Sequence, residues 1–209
     1  MPFLKEFIIN EKTKIKLWKV KIGELDASGL DNYDTYYLNL KKNHLAKEQF
    51  LAVRKTLQLE NPNYKIRYDE LGKPSINSNL NISISHSNQL AGIVLSKTKN
   101  IGIDIELLRK KVFNIKDKFL TEKEKIYLNN NLALELLTLI WVSKESIFKA
   151  LKIQGVIFSK NIQINKFSYL DSYGSGYYTN GDIIINFNLF FFYLKNYVIC
   201  FAEKNNFET

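Results

Sequence analysis

The stretch WVSKESIFKA, residues 141–150, places one acid and two bases inside an otherwise apolar helical pattern. In a helix, Trp141, Glu145 and Lys149 follow one another at i, i+4 and i+8 and therefore share one face, whereas Lys144 is offset from that face. An ordinary amphipathic helix with one Glu–Lys pair also accounts for these residues. The rest of the chain therefore decides whether this face carries chemistry.

The composition is that of a globular protein with one large domain or two small ones, since 45% of the 209 residues are hydrophobic and 24% are charged. Cys200 is the only cysteine, which excludes an intrachain disulfide and a cysteine-based zinc site and favours a reducing, cytoplasmic environment. The net charge of +9 indicates an anionic partner, such as nucleic acid, an acidic protein or a polyphosphate ligand.

Two segments bear on membrane insertion and targeting. Residues 183–202 are rich in apolar side chains, but asparagines and a lysine interrupt them, and the uninterrupted run is too short to cross a bilayer. We therefore expect two buried strands joined near Lys195 and Asn196. The N-terminal sequence MPFLKEFIIN shows no small-residue cleavage site, so we expect no signal peptide.

Predicted strands and helices follow an order that occurs twice, which indicates an α+β fold. We expect two similar α+β halves, residues 1–100 and 101–209, related by pseudo-two-fold symmetry, with the active site at their interface. The predicted strands are 15–22, 81–87, 91–96, 101–108, 161–170 and 183–202, with two extended pieces around a turn in 64–76. The predicted helical regions are 31–59 and 119–153, the second with a T-x-x-E capping box formed by Thr121 and Glu124.

The sequence IGIDIELL, residues 101–108, carries a pair of acids. In a strand, Asp104 and Glu106 point to the same side, and the flanking isoleucines point into a core. Two neighbouring carboxylates repel each other unless a cation neutralises them, and Mg²⁺ prefers such oxygen ligands. An exposed strand face with two solvated acids is the alternative interpretation.

Two further short motifs suit phosphate binding. In NISISHS, residues 81–87, Ser83, Ser85 and Ser87 lie on one face of a strand and His86 on the other, and hydroxyl and imidazole groups donate hydrogen bonds to anionic oxygens. A polar strand edge, a capped turn or a Ser–His nucleophile pair would also fit, although no third catalytic partner is evident. In LGKPSI, a lysine projects from a turn before a proline, which also fits an ordinary hairpin.

The order of these motifs along the chain is specific. G-K-P, S-x-S-H-S, G-I-D-I-E, F-L-T-E-x-E and W-x-x-K-E-S-x-x-K succeed one another between Phe50 and Leu151. In this order they resemble the 4′-phosphopantetheinyl transferase superfamily, over about half of the chain. The length and the two-half organisation are similar to the monomeric Sfp-type branch of that superfamily.

The resemblance implies an activity and a set of partners. Members transfer the phosphopantetheine group of coenzyme A to a serine of an acyl or peptidyl carrier protein and release 3′,5′-ADP. The resemblance assigns nucleotide-binding contributions to residues 1–100, and the metal site and carrier docking to residues 101–209. The carrier is expected to be acidic and to dock near the helical region after residue 112, including Phe113 and Phe119. The implied protein is a monomer that binds neither nucleic acid nor membranes.

Roles for single residues also follow from the resemblance. Glu145 would be the candidate general base, directly or through a metal-bound water, and Trp141 a packing residue. The implied metal ligands for Mg²⁺ are Asp104, Glu106 and Glu145, and the implied catalytic residues are Glu145 and Lys149. The implied coenzyme A-binding residues are Arg54, Lys73, Pro74, Ser85, His86 and Lys144, with Ser85 and His86 near the 3′-phosphate and Lys73 and Pro74 near the adenine.

Two alternatives stay open at the level of sequence. A coenzyme A-binding module that has lost catalysis would carry the same motifs but would bind coenzyme A without modifying a carrier. A basic nucleic-acid-binding protein would use the lysines and the 13% of aromatic residues for phosphate contacts and base stacking. The basic residues are spread along the chain and form no nucleic-acid-binding motif, which disfavours the second alternative.

Overall fold

The computed structural model describes residues 3–128, 133–151 and 153–205. The chain divides into two compact units, Met1–Lys97 and Thr98–Thr209. Each unit combines helices with an antiparallel sheet, which confirms the predicted α+β class. The pseudo-two-fold relation between the halves and the functions assigned to each of them stay predictions.

The first unit is built on a four-stranded antiparallel sheet with the order β1-β2-β6-β5. Helix α2 packs on this sheet through Ala52, Val53 and Leu57, which share an apolar core with Ile93 and Leu95 of β6. The elements are β1 (Phe3–Asn10), β2 (Thr13–Lys19), α1 (Asn32–Asn39), α2 (His44–Glu60), β3 (Ile66–Tyr68), β4 (Pro74–Ile76), β5 (Asn81–Ser87) and β6 (Leu90–Ser96).

The helical region predicted over residues 31–59 consists of two helices, because each begins at its own N-cap. The side chain of Asp31 accepts a hydrogen bond from the backbone N–H of Asp34 at 2.9 Å, and Asn43 accepts one from Ala46 at 2.8 Å. Strand β1 was not predicted.

The second unit is built on a five-stranded antiparallel sheet with the order β7-β11-β10-β9-β8. The region predicted as helical over 119–153 contains helices α4 and α5, and its residues 129–132 and 152 lie outside the described part of the chain. The elements are β7 (Ile101–Leu107), a 3₁₀ helix (Lys110–Asn114), α3 (Lys116–Phe119), α4 (Glu122–Leu128), α5 (Leu134–Leu151), α6 (Phe158–Asn161), β8 (Ile162–Ile164), β9 (Tyr173–Asn180), β10 (Ile183–Leu194) and β11 (Tyr197–Lys204).

Two strands of the second unit differ from the prediction. The strand predicted over 161–170 is limited to β8, and Leu170 has a φ of +78°, which an extended strand does not accommodate. Strand β9 was missed because its glycines weaken the strand pattern. In the fold, a Cβ at Gly174 would lie 2.9 Å from the ring of Phe191, so the glycine leaves space for that side chain.

The apolar segment 183–202 forms the long hairpin of β10 and β11, which confirms the prediction of two strands. Lys195 adopts a φ of +52° at the turn between them. Within the described residues, no helix has the length and apolar character needed to span a membrane.

Helix α5 approaches strand β7 closely at Gly102. A Cβ built on this glycine would lie 2.0 Å from the backbone carbonyl oxygen of Ser146 and 2.9 Å from the backbone nitrogen of Ala150. The Ser146 hydroxyl also donates to the Cys200 carbonyl of β11 at 2.8 Å. Glycine at position 102 is therefore required for the helix to pack this closely against the sheet.

We predict that Gly102→Ala lowers the free energy of unfolding by about 3 kcal/mol, because the added methyl group forces α5 away from the sheet. Urea denaturation followed by circular dichroism measures this effect. Gly155→Ala is the matched control, since Gly155 has a φ of +72° and nothing lies within 4 Å of the added methyl group. That control costs about 1 kcal/mol of backbone strain. An equal loss in both variants would contradict the packing argument.

Candidate functional site

The two acids of β7 face helix α5. Asp104 and Glu106 alternate with Ile103 and Ile105, as the strand pattern predicts. Asp104 is only 6% exposed and Glu106 is partly buried, so the alternative of two solvated acids on an exposed strand face is wrong for this pair. Ile103 and Ile105, on the opposite side of the strand, are fully buried as predicted.

One face of α5 contacts both acids through two of its side chains. The Trp141 indole N–H donates to Glu106 Oε1 at 3.0 Å. Two turns further on, Lys149 Nζ donates to Asp104 Oδ1 at 2.7 Å and to the Ile103 carbonyl at 3.0 Å. Trp141 therefore does more than pack against the sheet, because it also fixes the position of a carboxylate.

Glu145 lies between these two contacts along the helix. Burial is the main cause that raises the pKa of Glu145, to about 7, and the Asp104 carboxylate adds to the rise. Lys149 opposes it, and Glu106 contributes a further increase. The structure thus brings Asp104, Glu106, Glu145 and Lys149 within electrostatic range of one another. A carboxyl with this pKa can accept or release a proton near neutral pH.

The donor set suits Mg²⁺ by its chemistry. Three carboxylates close together repel one another, and a hard divalent cation with oxygen ligands neutralises that repulsion. Across the described ranges, no group of three His, Cys, Asp or Glu side chains is already placed to hold a metal ion. Asp104 Oδ1 accepts from Lys149 and Glu106 Oε1 accepts from Trp141. A cation at these two oxygens would therefore meet the hydrogen bonds that Lys149 and Trp141 already donate to them.

The structure contradicts the predicted coenzyme A contact of Lys144. Its side chain is 0% exposed, and its ammonium lies 2.8 Å from Oε2 of Glu124, which is equally buried. The same ammonium donates to the carbonyl oxygens of Phe119, Phe158 and Ile162 at 2.6, 3.1 and 2.6 Å. Because every proton of the ammonium is used inside the unit, Lys144 joins α5 to its neighbours and does not face a phosphate.

Glu124 has a second role at the start of α4. Its Oε2 accepts from the backbone N–H of Thr121 at 2.8 Å, and the Thr121 hydroxyl accepts from the N–H of Glu124 at 3.2 Å. This confirms the predicted capping box. Glu124 Oε1 also accepts from the N–H of Ile164 at 2.8 Å. The sequence identified Glu124 only as a cap and gave no sign that it pairs with Lys144.

The prediction that Arg54 binds coenzyme A is contradicted in the same way. The side chain is 4% exposed and donates twice to Asp34 Oδ1, at 3.1 and 3.0 Å, and once to the Tyr68 hydroxyl at 3.2 Å. Its guanidinium also stacks 3.4 Å from the ring centroid of Phe50. The guanidinium therefore holds α1, α2 and β3 together within the first unit. The sequence showed the charge of Arg54 but not its acidic partner.

The remaining residues predicted to bind coenzyme A lie in two places of the first unit. Ser85 is buried and His86 is exposed on adjacent positions of β5, which matches the predicted alternation. Lys73 and Pro74 are partly buried at the β3–β4 turn, where the Lys73 N–H donates to Asp69 Oδ1 at 2.8 Å. Their roles toward coenzyme A stay predictions.

Part of the region suggested for carrier docking is buried inside the second unit. Phe119 is fully buried, with its ring 5.3 Å from that of Trp141, so it cannot present a surface to a partner. Phe113 is partly buried against the same core. The structure therefore assigns Phe119 to the support of the α5 face.

We predict that Lys144→Met lowers the free energy of unfolding by about 3–5 kcal/mol, because it leaves the Glu124 carboxylate buried without its counter-ion. Lys125→Met is the control, since Lys125 pairs with Glu122 on the surface of α4, the helix that carries Glu124. This change should leave stability close to that of the wild type. Chemical denaturation at pH 7.5 measures both. Wild-type stability of Lys144→Met would argue against the buried pair.

We predict that Glu145→Gln stabilises the metal-free protein at pH 8 more than at pH 5. The pKa of Glu145 is raised from 4.5 to about 7 in the folded state, so the folded protein loses stability as the pH rises between these values. The glutamine removes that loss. Urea denaturation in EDTA measures the difference, with Glu70→Gln in an exposed turn as control. A Glu145→Gln effect that is the same at both pH values would contradict the assignment.

A protein family and a curated protein are similar to parts of this chain. Residues 100–202 match the family model described as the 4′-phosphopantetheinyl transferase superfamily, and this range contains both the β7 acids and the α5 face. The 4′-phosphopantetheinyl transferase gsp of Aneurinibacillus migulanus is 30% identical over 122 residues, which are 55% of this chain and 51% of that protein. The chain thus spans about half the length of this curated relative. The motifs, the α+β fold and this match place residues 100–202, which carry the candidate site, in the 4′-phosphopantetheinyl transferase superfamily.

Proposed function

We propose that this protein transfers the 4′-phosphopantetheine group of coenzyme A to a serine of an acyl or peptidyl carrier protein. One observation carries the proposal: the face of α5 with Glu145 and Lys149 lies against Asp104 and Glu106 of β7. A cluster of carboxylates beside a lysine suits phosphoryl transfer, which depends on neutralising and aligning charged oxygens. The curated relative, named as a phosphopantetheinyl transferase, supports the same reaction.

In the proposed site, Asp104, Glu106 and Glu145 would hold Mg²⁺. The bound ion would supply positive charge to the pyrophosphate oxygens of coenzyme A. The fit rests on the donor chemistry, since all three side chains provide carboxylate oxygens. Trp141 orients Glu106 through its indole N–H, and Gly102 permits the close helix–sheet packing that sets the carboxylates together.

The reaction forms one bond and breaks another at the β-phosphorus of coenzyme A. The serine hydroxyl oxygen of the carrier attacks that phosphorus, and the bond to the bridging oxygen breaks, so that 3′,5′-ADP leaves. The hydroxyl proton needs an acceptor, and we assign this role to the carboxylate of Glu145, which lies among Asp104, Glu106 and Lys149. Lys149, one turn beyond Glu145, adds positive charge for the phosphate oxygens.

We assign coenzyme A binding in the first unit to Lys73, Pro74, Ser85 and His86. The exposed imidazole of His86 and the turn at Lys73 offer donors to phosphate and to the adenine end, respectively. Lys144 and Arg54 are removed from this set because both are held in buried ion pairs. A net charge of +9 would favour encounter with coenzyme A and with an acidic carrier.

We predict that intact mass spectrometry of an apo acyl carrier protein shows a gain of one phosphopantetheine after incubation with this protein, coenzyme A and Mg²⁺. EDTA should abolish the gain, because the charge on the pyrophosphate is then not neutralised. Asp104→Ala should abolish it as well while the protein stays folded by circular dichroism. Asp182→Ala, which changes an exposed acid in the β9–β10 turn of the same unit, is the control and should keep full activity.

Two results would contradict the proposal in different ways. Coenzyme A binding without a mass gain on fatty-acid, polyketide and nonribosomal-peptide carriers would favour a binding module without catalysis. Normal Mg²⁺-dependent transfer by Asp104→Ala would leave the reaction in place and refute Asp104 as a metal ligand.

A further inference from the structure

Lys149 already supplies a cation to the acidic site of the metal-free protein. Its Nζ is 2.7 Å from Asp104 Oδ1, and the two side chains are 28% and 8% exposed. The Ile103 carbonyl accepts a second hydrogen bond from the same ammonium at 3.0 Å. The lysine is therefore held by one strand at two points and is directed at the carboxylate, not at solvent.

The lysine offsets repulsion among the acids. Asp104 and Glu106 both disfavour the charged form of Glu145, and Lys149 favours it. Of the three charged neighbours Asp104, Glu106 and Lys149, only Lys149 carries a positive charge that opposes this repulsion. Its ion pair with Asp104 also joins α5 to β7 at the place where the carboxylates repel one another.

We propose that Lys149 is an internal counter-ion that competes with the divalent metal ion for Asp104 and must leave this carboxylate when the ion binds. This inference rests on the proposed function, because it takes Asp104 as a metal ligand. Two cations at one carboxylate repel each other. Since the released ammonium is then available to the pyrophosphate, Lys149 couples metal binding to coenzyme A binding.

The counter-ion role predicts that removal of Lys149 increases the affinity for the metal ion. A lysine that only assists phosphate binding would, on removal, leave the affinity for the metal ion unchanged. A lysine that acts as a competing counter-ion would, on removal, increase the affinity for the metal ion alone. The same substitution would weaken coenzyme A binding, because the ammonium is then missing from the phosphates.

The experiment is a titration of the full chain with Mn²⁺, with free ion measured by electron paramagnetic resonance and no coenzyme A present. Lys149→Met keeps the length of the side chain and removes its charge, and Lys160→Met changes an exposed lysine of α6 as the control. We expect Mn²⁺ to bind Lys149→Met about 5-fold more tightly than wild type or control, a typical coupling between two ligands. Isothermal titration with coenzyme A in Mg²⁺ should show weaker binding by Lys149→Met.

Two further variants keep the test decisive if Lys149→Met is poorly folded. Lys149→Gln keeps a hydrogen-bond donor for the Ile103 carbonyl and should also tighten Mn²⁺ binding. Lys149→Arg keeps the positive charge and should not tighten Mn²⁺ binding. Each variant is first compared with the wild type by circular dichroism in EDTA, and Mn²⁺ should raise the melting temperature of the two uncharged variants more than that of the wild type.

Equal or weaker Mn²⁺ binding by both Lys149→Met and Lys149→Gln would overturn the counter-ion role. It would leave the proposed function intact if the wild type still binds Mn²⁺ and transfers phosphopantetheine in the mass-spectrometric assay. No Mn²⁺ binding by any variant, together with metal-independent transfer, would overturn both the counter-ion role and the proposed metal ligands. Asp104→Ala separates the cases further, because it removes the carboxylate that Lys149 and the metal ion share. In this background, lysine and methionine at position 149 should give the same Mn²⁺ affinity.

Discussion

The close approach of α5 to β7 is the constraint on which the candidate site depends. Gly102 permits it, because any side chain there would occupy the position of the Ser146 carbonyl. At this distance the indole of Trp141 reaches Glu106 and the ammonium of Lys149 reaches Asp104. The glycine of the G-x-D-x-E motif and the acids that follow it therefore form one structural unit with the helix. The glycine sets the separation between α5 and β7, and at this separation Trp141 and Lys149 reach the acids.

The motif W-x-x-K-E-x-x-x-K combines two different functions in adjacent residues. Lys144 and Glu145 are neighbours in sequence but are about 100° apart around the helix. Lys144 therefore points into the unit, where Glu124 and three backbone carbonyls bind its ammonium. Glu145 points toward the carboxylates of β7. The buried pair secures the helix, and this in turn fixes the position of the acid beside it.

The sequence predicted the local features well where a short-range rule applies. The strand alternation at Asp104 and Glu106, the capping box at Thr121 and the spacing of Trp141, Glu145 and Lys149 all follow from the repeat of a strand or a helix turn. The roles of Lys144 and Arg54 were wrong, because a positive charge in sequence does not reveal a buried acidic partner. Glu124 is 20 residues from Lys144, and Asp34 is 20 residues from Arg54, which is beyond the reach of any periodic pattern.

The sequence by itself determined the α+β class, the motifs, the resemblance to the superfamily and the residue types available for chemistry. Only the tertiary structure decided which charged side chains face the site and which are held in the interior. The physical reason is that burial and ion pairing depend on contacts between distant segments, such as α5 with β7 and α5 with α4. The sequence alone specifies a face of a helix, whereas the packing of that face decides whether its lysine binds a neighbouring helix or a carboxylate of the site.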